Sequence, residues 1–242
     1  MMDAFSHLDM TALDPVSDFK SRMAAAEITH ALVVETWKGD NDQPLKVLMA
    51  LKSPDFRVVP CYRPEQGLPT AGVLDHFMVA GLRVKTTDLH RFGPLADRLE
   101  RSGKWVVPHA EQGIGPLARE LRVLLEHHPA LRIYLPHCGW PRQNRSDDKN
   151  WEGSMAYLSG LPNIVVGISA IEYFSTESFP HNDVKRFAKR LIETFGAGSV
   201  VAASDYPLFE KHLYVEYIKL AEQWIRQKDV NWAPRFESLI FG

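Results

Sequence analysis

The sequence predicts a single-domain (βα)8 TIM barrel, in which eight parallel strands alternate with helices over residues 1–242. Three observations predict this fold. Strand-like and helix-like segments alternate along the chain. The strand-like segments are continuous apolar runs, as expected when both faces of a strand are covered. Four of these runs also end in His or Asp, and such residues meet only where parallel strands share an end. A doubly wound open sheet is the alternative fold.

The predicted strands are short apolar runs of four to six residues, each separated from the next by a longer segment. Such short runs are typical of buried strands. We predict strands over residues 2–7, 31–35, 56–61, 82–85, 104–108, 131–136, 163–168 and 199–203.

The predicted helices fill the intervals between these strands. We expect helices over residues 14–27, 43–52, 69–79 and 92–102. Two later intervals carry apolar residues with the i, i+3, i+4, i+7 spacing of an amphipathic helix. These residues are Leu117, Leu121, Leu124 and Leu125 in one interval, and Val184, Phe187, Ala188, Leu191, Ile192 and Phe195 in the other. Gly196 and Gly198 then separate that helix from the eighth strand, because a helix C-terminus favours a residue that tolerates positive φ.

The composition is typical of a soluble globular protein. The chain has 28 Lys and Arg against 30 Asp and Glu, which argues against a nucleic-acid or anionic membrane surface. It has no apolar run long enough to span a bilayer and no signal-peptide pattern at its start, so we expect a cytoplasmic protein. Cys61 and Cys138 are expected to be reduced thiols. A homodimer is the commonest assembly for such a protein.

The candidate active site consists of the four polar residues that follow buried runs. His7, His109, His137 and Asp205 stand at the ends of predicted strands one, five, six and eight. Imidazole and carboxylate groups are ligands of catalytic zinc sites, in which one position stays open for water. A lone histidine at a strand end is more often a hydrogen-bonded structural residue. Four such residues at four strand ends favour a shared site.

Other residues near the predicted rim are candidates for substrate binding. Lys85 ends strand four, and its ammonium group could bind a substrate carboxylate. Arg63 follows strand three, and Arg142 and Arg145 lie in a polar stretch after strand six, where each could form a carboxylate clamp. Aromatic residues that could line an apolar pocket are Tyr62, Trp140, Tyr173 and Phe174. Glu35 is either a residue of the rim or a paired buried acid.

Several segments resemble the amidohydrolase superfamily, and in particular the amidohydrolase-2 group that includes aminocarboxymuconate-semialdehyde decarboxylase. Residues 2–8 are similar to the strand-one motif D-x-H-x-H-L, and residues 107–111 to the strand-five histidine segment. Residues 131–139 resemble the strand-six segment hPHhG, and residues 203–207 match GSDYP closely. Residues 237–242 are similar to the closing N-A-x-x-L-F-G. The resemblance extends over nearly the whole chain.

The resemblance implies a role for each strand-end residue. His7, His109 and Asp205 would bind one divalent metal, usually zinc, and His137 would polarise or deprotonate near the reacting carbon. Asp205 could also take the proton of the attacking water. The implied activity is hydrolysis of a small carboxylated lactone, ester or amide. Non-oxidative decarboxylation is an alternative.

One position departs from the family pattern. Phe5 stands where the first histidine of the strand-one H-x-H motif is expected, and phenylalanine cannot bind a metal. Three outcomes are therefore open. His7, His109 and Asp205 could hold a metal with water completing the coordination, because three protein ligands suffice for a catalytic site. The site could instead work without a metal. The barrel could also bind a small carboxylate without catalysis.

Overall fold

The computed structural model describes residues 1–37, 53–66, 71–110, 113–141, 148–161, 163–208, 210–226 and 235–241. The helix predicted over 43–52, and Arg142 and Arg145, lie outside these residues. The described chain has eight parallel strands, so the predicted fold class is confirmed. They are β1 (Met2–Ser6), β2 (His30–Val34), β3 (Phe56–Val59), β4 (Gly81–Lys85), β5 (Trp105–His109), β6 (Arg132–Leu135), β7 (Ile164–Ile168) and β8 (Val200–Ala202).

Helices connect the strands. Those of the described residues are α1 (Pro15–Ala25), α2 (Ala71–Asp75), α3 (Gly93–Arg101), α4 (Ile114–His127), α5 (Asp148–Ser159), α6 (Ile171–Phe174), α7 (Lys185–Phe195), α8 (Tyr214–Ile225) and α9 (Arg235–Phe241). Helix α1 begins where the Asp14 side chain accepts a hydrogen bond from the Ser17 N–H, a cap that satisfies one free helix donor. No helix of the described chain has both the length and the apolar character that a membrane span requires.

The strands pair in chain order as two parallel sheets, β1 to β3 and β4 to β8. Backbone contacts join the sheets at both edges. Between β3 and β4, parallel bridges link Val58 with Val79 and Cys61 with Arg83. Between the ends of β8 and β1, the Asp205 N–H donates to the Phe5 carbonyl at 2.9 Å. These contacts place the ends of all eight strands around one rim, as in a barrel.

The core has two parts because alternate residues of each strand face opposite ways. Ala31, Val33 and Ile133 belong to the layer between strands and helices. The second part, from the opposite strand faces, includes Phe5, Leu32, Val34, Val107 and Tyr134. Tyr134 packs against β7 at Gly167, where an added Cβ would lie 2.2 Å from the tyrosine oxygen. Helix α9 joins this inner part through Phe236, which contacts Trp105 and Tyr134.

The two cysteines are free and buried, as expected of reduced thiols. Burial raises the pKa of Cys61 and of Cys138 to about 12. Neither thiol is therefore a nucleophile at neutral pH.

Candidate active site

The structure brings three of the four strand-end residues together at the rim. His7 follows β1, His137 follows β6 and Asp205 follows β8, and their side chains are all buried. His137 has φ of 57° and Asp205 has φ of 60°, both in the left-handed region that residues other than glycine rarely adopt. Backbone held in this region is common at active sites, where it aims a side chain.

His7 and Asp205 form the closest pair. Nε2 of His7 lies 3.5 Å from Oδ1 of Asp205, and the His7 Nδ1–H donates to the Val34 carbonyl. That hydrogen bond fixes the ring orientation and leaves Nε2 facing the carboxylate. Both facing atoms are buried, and neither has a hydrogen-bond partner within the described chain. Two neighbouring buried polar atoms without partners indicate a position beside them for a polar ligand in contact with both.

His137 is held by Ser169, which directly follows β7. The His137 backbone N–H donates to Ser169 Oγ at 3.0 Å, and the hydroxyl lies 3.0 Å from His137 Nδ1. Since the backbone already supplies one hydrogen to Oγ, the hydroxyl hydrogen can go to Nδ1. Nε2 then carries the ring hydrogen and is a donor. His137 Nδ1 also lies 3.9 Å from Asp205 Oδ2.

The pKa shifts of Asp205 and His137 make the first a base and the second a neutral hydrogen-bond donor. Burial lowers the pKa of His137 to about 4, because the opposing charge of the Asp205 carboxylate is outweighed by burial together with the positive charge of Arg83. Burial alone would raise the pKa of Asp205, but His137, His7 and Arg83 together hold it below its ordinary value. At neutral pH, His137 is therefore neutral and Asp205 is a carboxylate.

Phe5 lies at the centre of this cluster. Its ring is fully buried and meets the imidazoles of His7 and His137 edge-on, at centroid distances of 5.2 and 4.6 Å. The guanidinium carbon of Arg83 lies 5.3 Å from the same ring centroid. Phe5 thus contacts both histidines and a buried cation.

A second group of side chains surrounds Trp37. Glu35 is a paired buried acid, since Oε1 forms an ion pair with Nη1 of Arg63 at 2.7 Å and Oε2 accepts the Cys61 N–H at 2.6 Å. Arg63 is therefore neutralised by Glu35. Lys85 instead has its ammonium nitrogen 5.0 Å from the Trp37 ring centroid, and no carboxylate of the described chain pairs with it.

The remaining predicted residues occupy different places. Trp140 contacts His137 and His109 edge-on, at 5.5 and 6.2 Å between centroids. Tyr173 is 60% exposed, which places it at the surface, and its ring packs edge-on against Phe174. Tyr62 is buried in the core against Phe92. Trp140 is thus the aromatic residue of this set that contacts the rim histidines.

The predicted metal ligands do not form the set of neighbouring donors that a zinc site needs. In the described chain, the set of three donors whose ligand atoms all lie within 4.8 Å of one another is Asp97, Glu100 and His128. His7, His109 and Asp205 do not form such a set, and Phe5 offers no donor. Two facing donor atoms are fewer than the three protein ligands of a catalytic zinc site. Among the described residues, the rim therefore lacks the donor set of a zinc site of the usual kind.

The sequence interpretation did not include Arg83, Ser169 and Trp37. Ser169 directly follows the seventh apolar run, so the strand-end pattern that identified His137 also marks it. Arg83 lies inside the fourth run, where a charged residue in a buried strand is itself a signal. Trp37 follows the second run after Glu35 and Thr36.

Comparisons with known proteins identify the family and the fold. The sequence model of a family described as Amidohydrolase matches residues 12–230, a range that begins after Phe5 and His7. No curated protein matches the chain significantly. Several solved structures share the fold at low sequence identity.

Three of these structures illustrate the range of sequence identity and of TM-score. A candidate 2-pyrone-4,6-dicarboxylic acid hydrolase from Pseudomonas putida is 18% identical, with a TM-score of 0.78 over 98% of this chain and 97% of that chain. An amidohydrolase from Burkholderia multivorans with bound zinc is 14% identical, with a TM-score of 0.72 over 100% and 95%. A 2,6-dihydroxybenzoate decarboxylase from Rhizobium is 15% identical, with a TM-score of 0.62 over 98% of each chain. Because the family model covers most of its length, this chain belongs to the amidohydrolase family of enzymes.

Proposed function

We propose that this chain hydrolyses an ester, in its simplest form a lactone, of a small carboxylated compound. The observation that carries the proposal is the pair of buried acceptors, His7 Nε2 and Asp205 Oδ1, 3.5 Å apart and without partners in the described chain. One water molecule that donates one hydrogen to each atom satisfies both. Such a water lies beside an ionised carboxylate, which is the arrangement of a general base and its nucleophile.

The reaction follows from the donors and acceptors present. Asp205 takes a proton from the water as the water oxygen bonds to the carbonyl carbon, and the carbonyl oxygen gains the electron pair. The His137 Nε2–H donates to that oxygen. The carbon–oxygen bond of the ester then breaks, and the proton held by Asp205 passes to the departing alkoxide. Water and ester are consumed, and a carboxylic acid and an alcohol are formed.

Lys85 supplies the charge that selects a carboxylated substrate. It ends β4 and pairs in register with His109 on β5, so it lies at the same rim as the histidines. Its charge is available because no acid of the described chain pairs with it, whereas Arg63 is paired with Glu35. The proposal therefore assigns substrate binding to Lys85, with Trp140 beside His137, and a structural role to Arg63.

The proposal does not require a bound metal. The ionised Asp205 and the neutral His137 supply the base and the donor without one. The zinc-bound Burkholderia relative shares the fold, but the donor set of this chain differs at Phe5.

The test is a screen of carboxylated lactones and linear esters against the purified protein and three variants. For an active substrate, Asp205→Asn and His137→Ala should each lower kcat/KM by about 10²- to 10⁴-fold, the usual contribution of a general acid or base. Lys85→Met should raise KM for that substrate and leave an uncharged analogue unaffected. Unchanged turnover in the Asp205 and His137 variants would exclude this site.

The same assay distinguishes the alternative activities. Hydrolysis in ¹⁸O-labelled water places the label in the acid product, because the attacking oxygen comes from water. Release of CO₂ with no ¹⁸O in the organic product would support the decarboxylase alternative. A chain that binds the carboxylates but converts none of them would support the non-catalytic alternative.

A further inference from the structure

Arg83 is the most unusual charged residue of the described chain. It lies in β4, it is 5% exposed, and its Nη1 donates to the Glu35 carbonyl at 2.8 Å. Nε has no hydrogen-bond partner, and no carboxylate in the described ranges forms an ion pair with the guanidinium. A buried cation that forms no ion pair is expensive in free energy, although burial of Arg83 is partly offset by the more distant charges of Asp205 and Glu35. Such a residue is retained where its charge is used.

Aromatic rings connect Arg83 with the cluster of His7, His137 and Asp205. The guanidinium carbon lies 5.3 Å from the Phe5 centroid and 6.0 Å from that of Trp37. An aromatic face attracts a cation, and this attraction is largest where water is excluded. Phe5 in turn contacts His7 and His137, and its carbonyl accepts the Asp205 N–H. One ring therefore joins the cation to all three rim residues.

The position of Arg83 lets its positive charge act on the Asp205 carboxylate. The positive charge of Arg83 lies close enough to the Asp205 carboxylate to attract it. A divalent ion bound to the same carboxylate would stabilise its negative charge in the same way. A metal ion and a buried guanidinium also repel each other when both lie near one carboxylate.

We infer that Phe5 and Arg83 together replace the divalent metal of this site. Phe5 stands in place of a histidine ligand, and its ring is the aromatic surface against which the guanidinium lies. Arg83 provides a positive charge that belongs to the protein, stabilises the Asp205 carboxylate and disfavours a metal ion. Arg83 does not contact the substrate in this arrangement and is a positioning residue. The role of Asp205 as the base rests on the proposed function, but the exclusion of metal does not.

Zinc binding tests the inference without any substrate. All proteins carry His128→Asn, which removes the surface set of Asp97, Glu100 and His128 as a competing site. Zinc affinity and stoichiometry are measured by equilibrium dialysis, and the Co²⁺ absorption spectrum reports tetrahedral coordination. The variants are Phe5→His, Arg83→Met and the double variant, and Arg83→Gln replaces Arg83→Met if the latter does not fold.

We expect the parent protein and Arg83→Met to bind no zinc at the rim. Phe5→His should bind it weakly, and the double variant should bind one ion about tenfold or more tightly than Phe5→His alone, because a like charge is removed. Phe5→His with Arg83→Lys should stay weak, since the charge is kept. Phe5→His with Arg63→Met is the matched control and should also stay weak, because Arg63 is neutralised by Glu35.

Two results would overturn the inference. One is a stoichiometric zinc ion in the parent protein that is lost in Asp205→Asn. The other is equal zinc affinity in Phe5→His and in the double variant. Failure of the proposed function alone would give a different pattern, in which the zinc results stand but no ester is hydrolysed.

Discussion

At the scale of single residues, the chemistry of the rim depends on which atoms already have partners. The hydroxyl of Ser169 directs the His137 ring, and the carbonyl of Val34 directs the His7 ring. Asp205 is left with one oxygen that no group of the described chain satisfies. This division gives each residue one role. In the mechanism that we propose, His7 orients the water, Asp205 takes its proton and His137 donates to the substrate oxygen.

The pH dependence of kcat/KM should report these protonation states. The active form has a neutral His137, whose pKa is about 4, and an ionised Asp205, whose pKa is below its ordinary value. We therefore expect a constant kcat/KM between about pH 5 and pH 8, and a fall only as the pH drops through about 4. Steady-state rates for a substrate with no ionisation in this range would measure it. A loss of activity centred near pH 6.5, the pKa of an ordinary histidine, would contradict the assigned states.

At the scale of secondary structure elements, all eight strands were predictable to within two residues. Continuous apolar runs mark them well because each strand is covered on both faces. Helix α5 was not predicted, since its first residues continue the polar stretch after β6, and its buried Trp151, Met155 and Leu158 appear only later in the chain. The site residues at strand ends follow from the same pattern. Arg83 and Phe5 could be located in sequence, but their stacking depends on side chains from different strands meeting inside the barrel.

Helix α9 shows how one element closes the inner core. Phe236 is 4% exposed and contacts both Trp105 and Tyr134, whereas Leu239 on the same helix is 37% exposed. Phe236→Ala should lower the free energy of unfolding by about 3–5 kcal/mol, the usual effect of removing a buried phenylalanine ring. Leu239→Ala is the matched control and should change it by less than about 1 kcal/mol. Urea denaturation measures both. Equal effects of the two substitutions would mean that α9 does not anchor through Phe236.

At the scale of the whole molecule, the first and last strands are joined by a buried carboxylate. Asp3 in β1 accepts from the Ser204 N–H at 2.9 Å and from its hydroxyl at 2.6 Å, just after β8. Burial nevertheless raises the pKa of Asp3 to about 6, although its hydrogen bonds oppose the shift. Asp3, which joins the first and last strands, therefore destabilises the folded state while it is charged, and protonation removes this effect.

Asp3 and His137 should have opposite effects on stability as the pH falls. For Asp3, the folded pKa of about 6 exceeds the unfolded value of about 3.9, so the folded state binds more protons and stability increases between about pH 6 and pH 4. For His137, the folded pKa of about 4 is below the unfolded value of about 6.5, so stability decreases over nearly the same range. Each effect amounts to about 3 kcal/mol. The two contributions therefore nearly cancel in the native protein.

Asp3→Asn should uncover the contribution of His137. The amide does not titrate, so the free energy of unfolding of this variant should fall by about 3 kcal/mol more than that of the native protein between about pH 6.5 and pH 4. Urea denaturation at several pH values measures the slopes, which do not depend on any constant effect of losing the carboxylate. His137→Asn should give the opposite change of slope, with stability rising as the pH falls. Parallel pH profiles for the native protein and both variants would show that neither buried group titrates as its environment implies.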